Sequence, residues 1–225
     1  MSRHLAIAQN SGARRTESYD PVAAEYYDEI LHPTCAAFGV ASLQLLQAEI
    51  TEDSLRGMVV CDIGAGSSQV AKLIGAQIKS LESLWLIDSS PQMLAWSEKY
   101  KLPNVFYRVH RAEEINLLGN QFDIIICSLG DPYNVDKFWY AVANSLKQSG
   151  RCFFTTPSYE WAQSFRSQNE DEVKDEALFV LANGERHYVP SYILTYEDQI
   201  RLIESHGLKI LKSTHAYIDC LKSVP

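Results

Sequence analysis

The residues most able to carry chemistry begin with a short loop that contains two glycines. Residues 64–68, with the sequence Gly-Ala-Gly-Ser-Ser, follow an apolar run over residues 58–63 and precede a stretch of helical periodicity. Glycines at the end of a buried strand let the backbone turn sharply and approach a ligand, because no Cβ stands in the way. A dinucleotide-binding fingerprint needs a further glycine three positions after Gly66, and Gln69 stands there instead. The loop therefore predicts a nucleotide-type ligand other than a dinucleotide.

Two carboxylates are predicted to lie at strand ends beside this loop. Asp62 belongs to the apolar run that precedes the loop, and Asp88 ends the next apolar run. A carboxylate beside the loop repels a pyrophosphate and attracts a positive charge. A carboxylate at the end of the second strand can accept hydrogen bonds from both hydroxyls of a ribose. The pair therefore fits a nucleoside that carries a cationic, amino-acid-like tail.

Five apolar runs alternate along the chain with stretches of helical periodicity, and they must position these residues. Strands are predicted over residues 58–63, 84–88, 104–109, 122–128 and 151–155, with intervening helices over residues 68–79, 91–99 and 135–147. Strands that are apolar throughout are buried on both faces. We therefore expect an α/β fold with a mostly parallel sheet covered by helices on both faces, and a ligand crevice at the carboxyl ends of the strands.

The segments before this alternation are predicted to form an arm and two helices. Residues 1–18 are polar and without pattern, which is typical of a mobile arm. Asp20 followed by proline is typical of a helix start and predicts a helix over residues 20–30. Pro33 interrupts the pattern, so a second helix is predicted over residues 34–49.

A helix and a hairpin interrupt the alternation after the fifth strand. A polar, amphipathic stretch predicts a helix over residues 161–174. Asn-Gly at positions 183–184, between two apolar runs, is a strong signal for an antiparallel hairpin. Thr195 is expected to cap a last helix over residues 196–205, and a sixth strand is predicted over residues 208–218.

The composition is that of one globular domain with an acidic surface. The 225 residues include 20 Lys and Arg against 28 Asp and Glu, a net charge of −8, and 46% are hydrophobic. No apolar run approaches the length of a membrane span. The negative charge argues against a protein that grips a nucleic-acid backbone. Five cysteines, an odd number without metal-ligand spacing, indicate reduced thiols in a cytoplasmic protein and no metal site.

Several segments together resemble class I S-adenosylmethionine-dependent methyltransferases. Residues 62–68 resemble the first motif of that family, although Ser68 replaces its third glycine. Residues 88–94 resemble the second motif, residues 122–128 the fourth strand, and residues 146–151 the turn into the fifth strand. In their order and spacing these segments make a strong match, which extends over about residues 19–218.

The resemblance implies a Rossmann-like α/β fold and a division of the chain. Residues 19–225 are expected to form a single methyltransferase-like domain after the arm. Residues 19–56 are similar to the helical lid that small-molecule members of the family place over the cofactor. Residues 157–195, with the helix and the hairpin, are expected to be an insertion over the active site.

The resemblance further implies S-adenosylmethionine as the cofactor and S-adenosylhomocysteine as the product. It places the methionine end at Asp62, Gly64 and Gly66, the ribose hydroxyls at Asp88, and the adenine between Ser89 and Met93. Many members have an acidic residue before an alanine to contact the adenine, but Arg111 precedes Ala112 here, so Glu113 or backbone groups are the alternatives. The complete set expected to bind the cofactor is Tyr19, Tyr27, Asp62, Gly64, Ala65, Gly66, Asp88, Ser89, Met93, Ala112, Glu113 and Ser128.

Candidates for the acid–base and acceptor groups are fewer. His32 at the turn of the lid and His187 on the hairpin could each act as a general base, because the pKa of histidine is near neutrality. Asp131 lies in Gly-Asp-Pro-Tyr, which resembles the Asp-Pro-Pro-Tyr of amino-group methyltransferases but lacks one proline, so a plain turn is the alternative. The aromatic residues predicted to wall the substrate pocket, or to surround the sulfonium, are Tyr26, Tyr133, Trp161 and Tyr188.

These observations favour a methyltransferase that acts on an O or N of a small-molecule acceptor, which the sequence does not identify. The alternatives are an RNA or protein methyltransferase and a non-catalytic cofactor-binding subunit. In the first interpretation the partner is a small molecule, with no membrane and no nucleic acid, and the mechanism is an in-line displacement.

The family sheet has seven strands, and only six are predicted here. Residues 221–225 are too few for a turn and a further strand, so the seventh strand is expected to be missing. A cut chain, a lost strand and a strand supplied by a partner chain are the alternatives. Because an uncapped sheet edge invites pairing, we expect a monomer or a homodimer.

Overall fold

The N-terminal part of the fold is mostly irregular and leads into one long helix. The computed structural model describes residues 14–168 and 174–216. The segment contains strand β1 (Arg14–Arg15), a 3-10 helix (Asp20–Val22), helix α1 (Pro33–Glu49) and the short helix α2 (Glu52–Leu55). The helix predicted over residues 34–49 is thus confirmed by α1.

The helix predicted over residues 20–30 is wrong, since only its first turn is helical, as a 3-10 helix. The Asp28 side chain accepts hydrogen bonds from the backbone N–H groups of Ile30 and Leu31 at 2.9 and 3.0 Å. Such local bonds offer the backbone an alternative to the helical ladder. The lid therefore enters α1 through a series of turns.

The centre of the fold is a five-stranded parallel sheet. Its strands in chain order are β2 (Val59–Ile63), β3 (Ser83–Asp88), β4 (Val105–Val109), β5 (Phe122–Cys127) and β6 (Leu146–Phe154). They are connected by α3 (Gln69–Ile74), α4 (Pro91–Ala95) and α5 (Asp136–Ser145), and by 3-10 helices over Gly75–Ser80, Ala112–Leu118 and Asp131–Tyr133. The strand order β4-β3-β2-β5-β6 reverses direction between β2 and β5. Ligands of open α/β sheets bind at such a point, outside the carboxyl ends of the strands.

Two apolar layers cover the two faces of this sheet, as the continuous apolar strands predicted. Alternate residues of β2 divide between them, with Val60 in the layer on the side of α3 and Cys61 in the layer on the side of α5. Three cysteines lie on the neighbouring strands β2, β5 and β6, and Cys61 and Cys127 are buried as free thiols. Both faces of the central strands are therefore shielded from solvent, and only the carboxyl ends of these strands reach the ligand crevice.

The segment after β6 contains the predicted hairpin and, up to residue 168, the helix predicted over residues 161–174; residues 169–173 lie outside the described residues, and residue 174 is in a turn. Helix α6 (Tyr159–Gln168) is followed by strands β7 (Glu176–Val180) and β8 (Arg186–Pro190), which pair antiparallel. Helix α7 (Tyr196–Glu204) follows, and the Thr195 hydroxyl caps it as expected, by accepting the N–H of Asp198.

The hairpin also pairs with the N-terminus of the described chain. Arg14 lies opposite His187 and Arg15 opposite Tyr188, so β1, β8 and β7 form a second, three-stranded sheet. Residues 14 and 15 belong to the segment predicted as a mobile arm, and here they have a strand partner. Residues 1–13 of that arm lie outside the described residues, and Thr16, after β1, donates its N–H to the Tyr188 carbonyl at 2.9 Å.

The sixth strand predicted over residues 208–218 is wrong for residues 208–216, which adopt no regular structure. Leu208 packs against the apolar layer beside α5, but Leu211 is 72% exposed. Without a neighbouring strand the segment has no ladder to satisfy its backbone groups. Residues 217–225, on which the expectation about a seventh strand depends, lie outside the described residues.

Within residues 14–168 and 174–216, no helix combines the length and the apolar character that crossing a membrane requires.

Candidate functional site

A cavity of about 800 Å³ lies at the carboxyl ends of β2, β3 and β5. Its floor includes Asp62 and Gly64 after β2, Asp88 and Ser89 after β3, and Ser128 after β5. The N-terminal segment, α1, α6 and β7 form its walls and its cover. The volume lies within the range of about 300–1,000 Å³ that small-molecule and cofactor sites occupy.

Asp88 connects the glycine loop to the start of α4. Its Oδ2 accepts the N–H of Gly66 at 3.0 Å, and its Oδ1 accepts the N–H of Ser90 at 2.9 Å. Burial raises the pKa of Asp88 to about 6, and these two backbone donors oppose the rise. Each carboxylate oxygen has more than one lone pair. The carboxylate is therefore held in place by the protein while it keeps acceptor capacity toward the cavity.

Asp62 is almost completely buried under the loop, where the Ser68 hydroxyl donates to its Oδ2 at 2.7 Å. The same hydroxyl accepts the N–H of Ala71 at 2.9 Å and so caps α3. Burial raises the pKa of Asp62 to about 7, while the bond from Ser68 lowers it. Ser68, which replaces the third glycine of the motif, thus joins the carboxylate to the following helix.

Two tyrosine hydroxyls press against the two loop glycines. A Cβ on Gly66 would lie 2.2 Å from the Tyr27 hydroxyl oxygen, and one on Gly64 would lie 2.3 Å from that of Tyr133. The Tyr27 hydroxyl accepts the N–H of Ser67 at 2.8 Å, and the Tyr133 hydroxyl donates to the carbonyl of Ile63 at 2.9 Å. Both glycines also have positive φ. The space left by the missing Cβ atoms was expected to be used by a ligand. In this structure the two tyrosine side chains occupy it.

The lid is fixed to α4 by polar contacts. The Ser90 hydroxyl, which caps α4, donates to the Asp20 carboxylate, and the indole N–H of Trp96 donates to the carbonyl of Ala23 at 3.0 Å. The Tyr27 ring lies edge-on to Trp96 with a centroid distance of 5.4 Å. These contacts hold Tyr19 and Tyr27 over the carboxyl end of β3, where both line the cavity.

The side of the cavity expected to hold adenine is formed by β3, α4 and the helix after β4. Ser89, Met93, Ala112 and Glu113 all line it. Arg111 Nη2 lies 3.7 Å from Glu113 Oε1, so the carboxylate has a cationic neighbour. Glu113 therefore remains the alternative to the acidic residue that many family members have at the position of Arg111.

Asp131 lines the cavity from the 3-10 helix after β5, in a hydrogen-bonded chain that reaches the segment after β6. The Ser191 hydroxyl donates to its Oδ2 at 2.7 Å, and Arg166 Nη2 lies 3.2 Å from that hydroxyl oxygen. The guanidinium can only donate hydrogen bonds, so the Ser191 hydroxyl oxygen accepts a hydrogen bond from Arg166. The Ser191 O–H in turn donates a hydrogen bond to Asp131. Burial raises the pKa of Asp131 to about 6, while Ser191 and Arg166 lower it.

The two histidines proposed as bases differ in position. His32 lines the cavity, its ring edge-on to Phe179 at 5.1 Å, and burial lowers its pKa. His187 is buried in β8 and does not line the cavity, and its Nε2 lies 3.5 Å from Glu185 Oε2. The structure therefore brings His32 and Asp131 to the cavity and leaves His187 behind its wall.

The aromatic residues predicted to line the pocket are likewise partly at the cavity and partly outside it. Tyr26, Tyr133 and Trp161 line the cavity, and Tyr188 is buried outside it, with the Arg15 guanidinium 5.9 Å from the centre of its ring. Tyr133 packs mainly against Gly64 and the apolar layer beside α5. Of the other predicted residues, only Gly66 is absent from the lining, since Tyr27 covers it.

Several polar residues at the site were not predicted from the sequence, among them Ser191, Arg166, Ser42 and Lys72. Ser191 and Arg166 reach Asp131 only through the tertiary fold, and no local pattern indicates them. Ser42 of α1 lies with its hydroxyl oxygen 2.6 Å from that of Ser128, which fixes the helix to the end of β5. Lys72, one turn into α3, lines the cavity with its Nζ 5.6 Å from the Tyr27 ring; its place after the glycine loop is the one signal that could have found it.

Comparison with known proteins agrees with this geometry. A family model described as a methyltransferase domain matches residues 60–150. The DhpI–SAM–HEP complex is similar in structure, with a TM-score of 0.60 and 17% identity over 84% of this chain and 85% of that one. A putative methyltransferase in complex with the Haloferax volcanii Trm112 activator has a TM-score of 0.60 and 14% identity, over 88% and 79% of the two chains. A putative S-adenosylmethionine-dependent methyltransferase from Listeria monocytogenes has a TM-score of 0.55 and 19% identity, over 73% and 82%. No curated protein sequence matches the chain.

The family model identifies residues 60–150 as a methyltransferase domain, and the strand order of the sheet is that of a Rossmann-like α/β fold. The resemblance that the sequence motifs carry is therefore confirmed for this domain and for the fold.

Proposed function

We propose that the chain moves a methyl group from S-adenosylmethionine to an O or N of a small-molecule acceptor and releases S-adenosylhomocysteine. The observation that carries this proposal is the cover over the strand ends. Residues 17–43 on one side and α6 with β7 on the other line a cavity of about 800 Å³ between them. Such a cover suits two small molecules better than a polynucleotide or a folded protein surface.

The residues at the strand ends fit the cofactor by their chemistry. Asp62 and Lys72 offer opposite charges to the ammonium and carboxylate groups of a methionine tail. Asp88 offers acceptor capacity to two ribose hydroxyls, since its backbone donors hold it toward the cavity. Met93 and Ala112 provide apolar contact for a purine. Tyr19, Tyr27 and Ser128 complete this half of the cavity.

When bound, S-adenosylmethionine supplies a methyl group on a sulfonium that is already activated for displacement. The task of the chain is then to position the acceptor, to exclude water and to receive a proton. We assign the role of proton acceptor to Asp131, which lines the cavity and whose carboxylate is oriented by Ser191. Arg166 acts through Ser191 and keeps the carboxylate ionised near neutral pH. His32 is the second candidate, and its lowered pKa keeps it neutral at physiological pH.

Exchange of Asp131 for asparagine tests this assignment. Asp131→Asn keeps the shape of the side chain but cannot take a proton, so we expect kcat to fall by about 10²–10⁴-fold. Cofactor affinity is expected to stay within about twofold, because the Asp131 side chain bonds to Ser191 and not to the glycine loop that Asp88 holds. The measurement is transfer of radiolabel from the cofactor into the small-molecule fraction of a cell extract, with cofactor binding followed by calorimetry.

A second variant, at the residue that orients Asp131, distinguishes a role of this carboxylate as a base from a structural role of the turn that contains it. Ser191→Ala removes the donor to Asp131 and is expected to lower kcat only about tenfold, with the pH below which kcat falls moved upward. Full activity of Asp131→Asn would contradict the assignment and move it to His32. Label in the RNA or protein fraction would instead support the macromolecular alternative, and cofactor binding without any transfer would support a non-catalytic subunit.

Cofactor affinity is expected to depend on pH through Asp62. The pKa of this carboxyl is about 7 in the free protein, and the ionised form attracts the cationic tail. Binding must therefore release a proton below that pH, so Kd is expected to rise by up to about tenfold for each unit that the pH falls below 7. Calorimetry between pH 5.5 and 8.5 measures this slope. Asp62→Asn is expected to bind more weakly and with little pH dependence above pH 6; an unchanged slope in this variant would assign the titration to another group.

A further inference from the structure

Helix α1 has an unusual composition for a helix at the surface of a protein. Between Pro33 and Ala48 it contains no charged residue. Yet only Ala41, Ser42 and Leu46 are buried, and Val40 is 59% exposed. Its exposed residues also include Gln44 and Gln47, so the apolar side chains cover only part of its surface. An uncharged helix with exposed apolar side chains is expected to contact something apolar on the side that carries them.

One side of this helix faces the cavity. Cys35, Phe38, Val40 and Leu43 all line it. Burial raises the pKa of the Cys35 thiol to about 12, so this group stays neutral at physiological pH. The wall that α1 contributes is thus uncharged along its length.

The opposite wall, formed by α6 and β7, is mainly apolar as well. The Trp161 ring lies edge-on to Phe38 with a centroid distance of 4.6 Å, which joins the two walls. It also stacks on Phe165, one helical turn further along, at 5.0 Å. Phe179 and Val180 of β7 continue the same surface. The charged residue that α6 adds to the lining, Arg166, is occupied with the Ser191 and Glu176 backbone and with the Ser191 hydroxyl.

The apolar lining continues to the outside of the protein. Four large apolar residues both line the cavity and are open to solvent, and we call them the rim: Leu31 at 38% exposed, Val40 at 59%, Phe165 at 36% and Val180 at 48%. The exposed carboxylates of Glu17 and Glu29, from the N-terminal segment, also line the cavity. The half of the cavity at the strand ends is different, since Asp62, Lys72, Asp88 and Glu113 line it. The cavity is therefore polar at the strand ends, where the cofactor is proposed to bind, and mainly apolar between α1 and the pair α6 and β7.

From this division we infer that the acceptor is an amphiphile. Its N–H or O–H group lies at Asp131, and an alkyl chain or ring system of it runs between α1 and α6 toward the rim. The inference rests on the proposed function for the position of the reacting group, but the apolar channel is a property of the lining alone. A small polar acceptor would leave the Phe38, Trp161 and Phe165 surfaces in contact with water, which is unfavourable in proportion to their area.

A series of primary alkylamines from butylamine to octylamine tests the inference by calorimetry, with and without S-adenosylhomocysteine. The ammonium group suits the Asp131 carboxylate, and each added methylene is expected to lower Kd about threefold to fourfold if it is buried. Butylamine to octylamine spans four methylenes, so the affinity is expected to rise by about two orders of magnitude. Matched alcohols are expected to show the same dependence on chain length from a weaker starting affinity.

Val40→Asp places a charge on the rim at a largely exposed position, which the fold tolerates. We expect it to weaken octylamine binding about tenfold or more and to leave butylamine binding unchanged. Leu117→Asp is the matched control, because Leu117 is 71% exposed and does not line the cavity. Its chain-length dependence is expected to equal that of the unaltered protein.

An affinity independent of chain length, or equal behaviour of Val40→Asp and Leu117→Asp, would overturn the inference; the exposed face of α1 would then suit a protein partner better. Failure of S-adenosylhomocysteine to bind, with the chain-length dependence intact, would contradict the proposed function and leave the apolar channel standing. Binding of both, with each methylene contributing as expected, supports the two together.

Discussion

Replacement of Asp88 by alanine is expected to abolish measurable binding of S-adenosylmethionine. The carboxylate is placed to accept two ribose hydroxyls, and hydrogen bonds to a charged acceptor contribute about 1.5–3 kcal/mol each. Loss of both predicts a Kd raised by about 10²–10⁴-fold. The structure adds a second cause, since Asp88 also accepts the N–H groups of Gly66 and Ser90. Without the Asp88 carboxylate, the glycine loop and the start of α4 lose the hydrogen-bond acceptor that connects them.

The control for this variant is another carboxylate of the same sheet. Asp123 of β5 accepts the N–H of Val59 at 2.8 Å and pairs with Lys147, and it does not line the cavity. Asp123→Asn is expected to change thermal stability slightly and to leave cofactor affinity within about twofold. Calorimetric titration of both variants, with circular dichroism to verify folding, separates the effects. Affinity retained in a folded Asp88→Ala protein would remove Asp88 from the cofactor site.

Replacement of Gly66 by alanine is expected to have the second large effect. The new Cβ would lie 2.2 Å from the Tyr27 hydroxyl oxygen, far inside contact distance. Either the loop or the lid must move, so we expect a loss of about 1–3 kcal/mol in the free energy of unfolding and a strong loss of cofactor affinity. Denaturant unfolding of the variant, with cofactor titration, measures both.

A double-mutant cycle with Tyr27→Phe tests whether the hydroxyl is the cause. Phenylalanine removes the clashing oxygen, so the cost of Gly66→Ala is expected to be smaller by about 1 kcal/mol in that background. Gly119→Ala is the matched control, because Gly119 also has a positive φ, +70°, but no atom lies within 4 Å of its added Cβ. It isolates the backbone strain and is expected to show no coupling with Tyr27. Equal costs of Gly66→Ala in both backgrounds would show that strain alone is responsible.

The central sheet could be predicted from the sequence because its signal is local. The apolar run that becomes β2 and the glycines after it show a buried strand and a turn without knowledge of the rest of the chain. The carboxylates of Asp62 and Asp88 could be brought together in the same way, since they lie at the carboxyl ends of neighbouring parallel strands. One failure was local, because Asp28 competes for backbone N–H groups after residue 28. The other was not, because residues 208–216 have apolar residues but no neighbouring strand.

The acceptor side of the site could be predicted only in part. Asp131 was indicated by its tetrapeptide, but the Ser191 and Arg166 groups that orient it come from an insertion whose docking the sequence does not encode locally. His187 has the right chemistry and the right element, yet it lies behind the cavity wall. Tyr188, on the other face of β8, is outside the cavity as well, and only Pro190 at the end of that strand lines it, so the position of the whole strand excludes His187.

The small sheet β1-β8-β7 has a consequence for the order in which the protein folds. It joins Arg14 to His187, so the cover over the site contains chain segments from both ends of the described sequence. Contacts between such distant segments form late, because the entropy of closing the intervening loop must be overcome first. During synthesis the strand ends of the central sheet are therefore expected to stay open until β8 has emerged. The same sheet joins the two halves of the cover into one hydrogen-bonded unit.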